Sequence, residues 1–205
     1  LQALDDLKAY QIYHPYEDVE RMRLYSGLGR TEEALALADA LLTDHPEDTY
    51  IRFYAGDAKW KGGKKEEAFA LWDRLLKADP DHYSAKLGVA RCYMDQERYY
   101  EARELMLELL DNGRSDEVET LIKKANEALI QEFQETLAAG RKDPRLTKQE
   151  LIIKLGWCLF QNERLEEAAE LLQDMEPEKE EYLYCNLYGR LLYQMDRNEE
   201  ALPYL

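Results

Sequence analysis

The chain has 205 residues, 43 acidic side chains against 27 basic ones for a formal charge of −16, and only ten glycines and six prolines among long runs of helix-forming residues. That composition predicts an all-α fold, and the charge argues against a nucleic-acid backbone or an anionic membrane as partner, because both recruit Lys and Arg to displace counterions. No run of about 18 apolar residues and no basic-then-apolar leader occurs, so the reading is a soluble, cytoplasmic protein.

In chain order, residues 1–12, "LQALDDLKAYQI", place Leu4, Leu7 and Tyr10 near helical spacing. They are expected to be the last helix of a truncated hairpin filling 1–14. A recurring unit then begins. "GLGRTEEALALADALLTDHP" ends at Pro46, "KGGKKEEAFALWDRLLKADP" at Pro80 and "DQERYYEARELMLELL" at Leu110. Each copy reads as the end of one helix, a turn and a second helix. Gly29 and Gly63 stand where the chain reverses, a place suited to positive φ, and Pro46 and Pro80 close the second helices. The third copy puts Glu97 at the turn. These three repeats occupy 15–114.

Over 115–146 the pattern stops. Ser115 and Asp116 offer a cap, no glycine or proline follows until Gly140, and Val118, Leu121, Ile122, Ala125, Leu129 and Phe133 keep one stripe. The expectation is one long helix over about 116–139, with a break near Lys124–Asn126 as the alternative. The next helix, Thr147 to Gln161, must then return antiparallel, because the seven-residue linker "GRKDPRL" reaches at most about 24 Å. Two further repeats fill 147–205, the last cut short. With no initiator Met at Leu1 and a helix just beginning at the end, the chain reads as part of a larger protein.

The small residues Ala34, Ala68, Ala102, Ala168 and Ala201 recur at a period near 34, the mark of a stacked helical-hairpin array. Together with Gly56, Gly63, Trp72 and Pro80 in the second copy, Tyr25 and Gly29 in the first, Ala90, Tyr93 and Tyr99 in the third, Gly156, Leu159 and Leu165 in the fourth and Gly189 and Leu192 in the fifth, they resemble the tetratricopeptide-repeat family. The resemblance implies a right-handed α-solenoid of antiparallel hairpins, here interrupted by the long helix. Gly56, Gly156 and Gly189 cost about 1 kcal/mol each inside helices, and are expected where helix backbones of a hairpin approach closely.

Chemistry is sparse. His14, His45 and His82 fall in inter-hairpin loops without ligand spacing and are read as loop and capping residues. Cys92, Cys158 and Cys185 sit in apolar helical patterns and are read as reduced core residues. Acidic pairs such as Glu66–Glu67 suit helix first turns. No catalytic residue, metal site or cofactor is expected.

The resemblance implies instead a concave face built from the first helices. It carries Val19 and Arg23; Tyr50, Phe53, Asp57 and Trp60; Leu87, Arg91 and Met94; Ile153, Trp157 and Phe160; and Leu183, Asn186, Arg190 and Tyr193. The competing reading of each aromatic is packing within the solenoid. The Lys and Asn set by which the family's chaperone-tail binders hold a carboxylate is missing, with Val19, Arg23, Phe53, Asp57, Ser84 and Gly88 in those places. The functional expectation is a non-catalytic scaffold that binds a protein or peptide, with the better-formed site on 15–112. The alternatives are the repeat region of a larger protein such as a J-domain co-chaperone or regulator, or a self-assembly module. Oligomeric state stays open.

Overall fold

A computed structural model describes residues 14–111, 113, 115–173, 175 and 181–204; the helix expected over 1–12 and Pro177 lie outside them. The described elements are helical throughout: α1 Pro15–Gly27, α2 Thr31–Asp44, α3 Thr49–Lys61, α4 Lys65–Ala78, α5 Tyr83–Asp95, α6 Tyr99–Asp111, α7 Asp116–Ala138, α8 Lys148–Gln161, α9 Leu165–Leu172, α10 Glu181–Gln194 and α11 Asn198–Ala201, with a 3₁₀ turn at Leu202–Tyr204. The fold is an all-α solenoid. It divides into two compact units between Arg98 and Tyr99. That division falls in the turn of the third expected hairpin, so α5 belongs to the first unit and α6 to the second.

In the first unit, capping and turn chemistry explain the hairpins. The Nδ1 atoms of His14 and His82 accept from the backbone N–H groups of Tyr16 and Ala85 at 3.3 and 3.2 Å, and Asp48 accepts from Ile51 at 3.0 Å, so each first helix has a side-chain acceptor for an otherwise orphan donor. His45 occupies the C-cap of α2. Gly29 and Gly63 adopt φ of 70° and 80°, and Glu97 takes φ 58° at the equivalent turn. The next residue in each turn, Arg30, Lys64 or Arg98, donates to the carbonyl of Tyr25, Lys59 or Tyr93 at 2.8–2.9 Å, closing the same left-handed cap. Charged side chains tie the hairpins. The buried Lys59 of α3 donates to Asp39 of α2 and Glu67 of α4, both at 2.6 Å, and Arg52 reaches the carbonyl of Pro46 at 2.6 Å.

Ala34 and Ala68 are fully buried, but the glycines serve a different neighbour from the one expected. A Cβ on Gly56 would lie 2.5 Å from Trp72 Nε1, and one on Gly88 would lie 2.6 Å from the same indole. The closest atoms are therefore a side chain, not a facing backbone. Two glycines, on α3 and α5, leave the slot that the Trp72 ring fills. The ring is 2 % exposed, and its Nε1–H donates to the Phe53 carbonyl at 3.3 Å.

The second unit contains the long helix. α7 runs 23 residues without a break, capped by Ser115, whose hydroxyl accepts from Val118. It ends at Ala138, and Gly140 just beyond the C-cap takes φ 61°. Asn126, at the alternative break point, stays helical because its side chain is satisfied. Its Oδ1 accepts from Arg103 Nε at 2.7 Å, and its Nδ2 donates to Gln161 and Asn162 at 3.2 and 2.9 Å. Arg103 also donates to Gln161 at 2.9 Å, closing a buried polar cluster that fixes α7 against α6 and α8. Thr147 and Glu150 form a reciprocal capping box that starts α8. Glu163 and Asp196 take the left-handed turn positions, at φ 63° and 59°. At Gly156 the space for a Cβ is filled by Leu187 at 2.9 Å and Leu172 at 3.3 Å. Phe133, Leu151, Leu155, Leu159, Leu172, Leu187 and Leu191 form the core beneath.

Candidate interaction surface

In the first unit the face expected from α1 and α3 is a series of rings in contact. Tyr16 meets Tyr50 with centroids 4.7 Å apart, Tyr50 meets Tyr54 at 4.7 Å, Tyr54 meets Phe53 at 4.9 Å and Phe53 meets His82 at 5.5 Å. Spacings of this size suit tilted and edge-on aromatic pairs. Arg23 lies over Tyr54, its guanidinium carbon 4.8 Å from the ring centre, while donating to both Glu20 oxygens at 2.7 and 2.9 Å. That hydrogen bond raises the Arg23 pKa against the opposing effect of burial. Burial, then Tyr54, push the Tyr50 hydroxyl above its ordinary range, and the hydrogen bond to Asp48 does the same for Tyr16. Asp57 is occupied by Lys61 at 2.7 Å.

The remaining candidates of this unit divide by exposure. Trp60 is half-buried, its ring 6.1 Å from that of Trp72 with Lys65 Nζ 5.2 Å above it. Arg91 and Met94 are half-buried. Val19 and Leu87 are core residues, 0 % and 9 % exposed, and offer a partner almost nothing. The stiff spacing of the repeat assigns a direction to every side chain, but cannot register how far each reaches past its neighbours.

In the second unit the candidates of α8 and α10 line depressions. Trp157 borders one of about 300 Å³ with Leu183, Lys154 and the buried Arg103. Phe160, Arg190 and Tyr193 border another of about 270 Å³, and Asn186 and Arg190 a third of about 310 Å³ with Tyr182 and Tyr204. Trp157 and Phe160 meet edge to face at 5.8 Å. Tyr193 and Leu183 are 65 % and 45 % exposed, so they are not needed for packing. Arg190 is exposed and has no ion-pair partner among the described residues. Ile153 is 3 % exposed and belongs to the floor.

Sequence reasoning missed Tyr16, Tyr54, Arg103 and Lys154. Tyr54 was legible, since it lies one turn from Tyr50 on the same helix face. Arg103 was not, because it comes from α6, a second helix of its hairpin. Among the described residues no group of three or more His, Cys, Asp or Glu could hold a metal, and no helix is long and apolar enough to cross a membrane. Burial pushes the thiols of Cys92 and Cys158 up to about 11.

A tetratricopeptide-repeat family model matches residues 20–72 and 55–117. Over residues 20–117 the chain is a tetratricopeptide-repeat array. Such arrays are, in general terms, protein–protein interaction scaffolds. No curated protein matches this chain in sequence. Among solved structures it is similar to MamA AMB-1, with 18 % identity, 93 % of this chain and 87 % of that one covered and a TM-score of 0.43. It is similar to a tetratricopeptide-repeat protein from Parabacteroides merdae, with 16 % identity, 93 % and 75 % covered and a TM-score of 0.49. Naa15/Naa10 bound to HypK-THB matches at 18 % identity, 99 % and 32 % covered and a TM-score of 0.50. At these identities the likeness concerns the fold alone.

Proposed function

We propose that the chain binds a protein or peptide segment on the aromatic and arginine-bearing faces of its first helices, with the principal contacts on α8 and α10 in place of the site that the sequence puts on 15–112. The observation carrying this reading is the set of depressions bordered by Trp157, Phe160, Arg190 and Tyr193, beside large side chains left in solvent at Leu183 and Tyr193. Aromatics and Arg in such places are the types that dominate binding energy. The ring series from Tyr16 to His82 is a second surface of the same kind. Arg23 is already held by Glu20 there, which lowers what it can give a ligand. A role without catalysis fits the groups that chemistry would need: His14 and His82 are engaged as helix caps, and the buried thiols are held protonated. Three free cysteines suit the reducing cytoplasm.

The test is affinity capture of cellular partners by the chain and by Trp157→Ala and Tyr193→Ala. A hot-spot truncation costs about 2 kcal/mol or more, so both variants should lose the partners held by the parent chain while keeping its circular-dichroism spectrum. Full retention of those partners by both variants would refute the assignment to α8 and α10.

A further inference from the structure

Where α7 ends and α8 begins lies a cavity of about 530 Å³ that shares no residue with the faces described above. Its apolar wall is made by Leu137 of α7, Leu146 of the connecting loop and Leu151 of α8. Leu151 is buried and the other two are half-buried. Arg141, Lys142 and Lys148 also line it, all three exposed. Among the described residues no carboxylate pairs with any of them. Two of the nearby carboxylates are engaged by a cation, while Glu135, which borders the adjoining depression, accepts from the neutral Gln131 at 3.0 Å. Asp143, on the cavity wall, is held by Arg145 at 2.7 Å, and that hydrogen bond keeps its pKa below the ordinary range. Glu132, in an adjoining depression that Arg141 and Lys142 also border, is taken by Arg145 as well. In a chain with a formal charge of −16, this cavity gathers three cations that pair with no described carboxylate over an apolar wall.

We infer that this cavity docks an acidic protein segment carrying an apolar side chain between carboxylates. The volume falls within the range of about 300–1,000 Å³ typical of ligand sites, and the three leucines give a buried surface for one aliphatic or aromatic anchor. The cations come from two segments, Arg141 and Lys142 just after α7 and Lys148 in the first turn of α8. This suits carboxylates on both sides of an anchor better than a single compact anion. The overall negative charge does not oppose docking at contact range, because the Debye length at physiological salt is about 8 Å and distant carboxylates are screened.

The experiment is fluorescence anisotropy of a short labelled peptide, Asp-Glu-Leu-Glu-Asp, titrated with the full chain at physiological salt. The inference predicts binding that weakens about tenfold or more in the triple variant Arg141→Glu, Lys142→Glu, Lys148→Glu, since three rim pairs of modest strength add to that size. The neutral triple variant with Gln at the same positions should fall between the two. A peptide with Ala in place of Leu should bind several-fold more weakly, and Trp157→Ala should leave the titration unchanged, which separates this site from the face on α8 and α10. Absence of peptide binding, or equal binding by parent and charge-reversed chains of matching circular dichroism, would overturn the inference. So would indifference to the Leu, or complete displacement by millimolar inorganic phosphate, either of which would mark a general anion site. A concentration-dependent mass abolished by the triple variant would name a second copy of this chain as the occupant and overturn the choice of partner.

Discussion

The two units solve the same problem, holding antiparallel helices in register, with a different feature at the centre of each. In the first, one large ring is matched to missing side chains, Trp72 lying against Gly56 and Gly88. Register is set by volume, since a shift along either helix would drive a Cβ into the indole. In the second, the long α7 meets its neighbours through Arg103, Asn126, Gln161 and Asn162, whose donors and acceptors are matched to each other. Register there is set by hydrogen bonds, since a shift would strand buried polar groups. The difference tracks the repeat. Where hairpins recur at a fixed period, a large-and-small pattern suffices. Where one helix takes the place of two, polar partners specify how it docks.

The comparison breaks most visibly at Trp72. Trp72→Ala should cost about 3–5 kcal/mol by emptying the slot, read in urea denaturation. Gly88→Ala alone should also destabilise, by about 1–3 kcal/mol of overpacking that outweighs the gain of about 1 kcal/mol in helix propensity. That penalty should shrink in a Trp72→Leu background, as expected for residues in direct contact. Additive effects would show that the glycine is not there for the ring.

In the second unit, Asn126→Leu keeps the branched shape of the side chain but removes the acceptor for Arg103 and the donor to Gln161 and Asn162. The loss should be about 1–3 kcal/mol, with faster amide exchange in α7 and α8. A variant as stable as the parent would mean that apolar packing alone positions the long helix. The smallest effect concerns the turns. Glu97 occupies a left-handed conformation that Gly29 and Gly63 adopt without strain, so Glu97→Gly should raise stability by up to about 1 kcal/mol, visible as a higher melting temperature.

Most of the fold was legible because period, caps and turn residues are local signals. Ser115 announced its helix, and the absence of glycine and proline after it announced one helix instead of two. The role of Gly56 was legible only in part. A helical glycine signals close packing, but the sequence does not say whether a backbone or an indole arrives, and Gly88, whose Cβ would also strike Trp72, gave no separate cue. Asn126 looked like a weak point in α7 because its partners lie 23, 35 and 36 residues away. The candidate face was legible in its direction, set by helical spacing, and illegible in its depth. Val19, Leu87 and Ile153 share that direction with Tyr50 and Trp157 yet are buried, because burial depends on the neighbouring helix.

The central claim, that the rings setting the packing and the rings offered to a partner are different residues, can be read from the three tryptophans at once. The chain labelled with 5-fluorotryptophan has one ¹⁹F resonance each for Trp60, Trp72 and Trp157, assignable by single Trp→Phe substitutions. On adding a partner captured by the parent chain, the account predicts a shift and loss of solvent accessibility for Trp157, and no change for Trp72, which is 2 % exposed in the chain alone. An unchanged Trp157 resonance at saturating partner, or a response confined to Trp72, would contradict it.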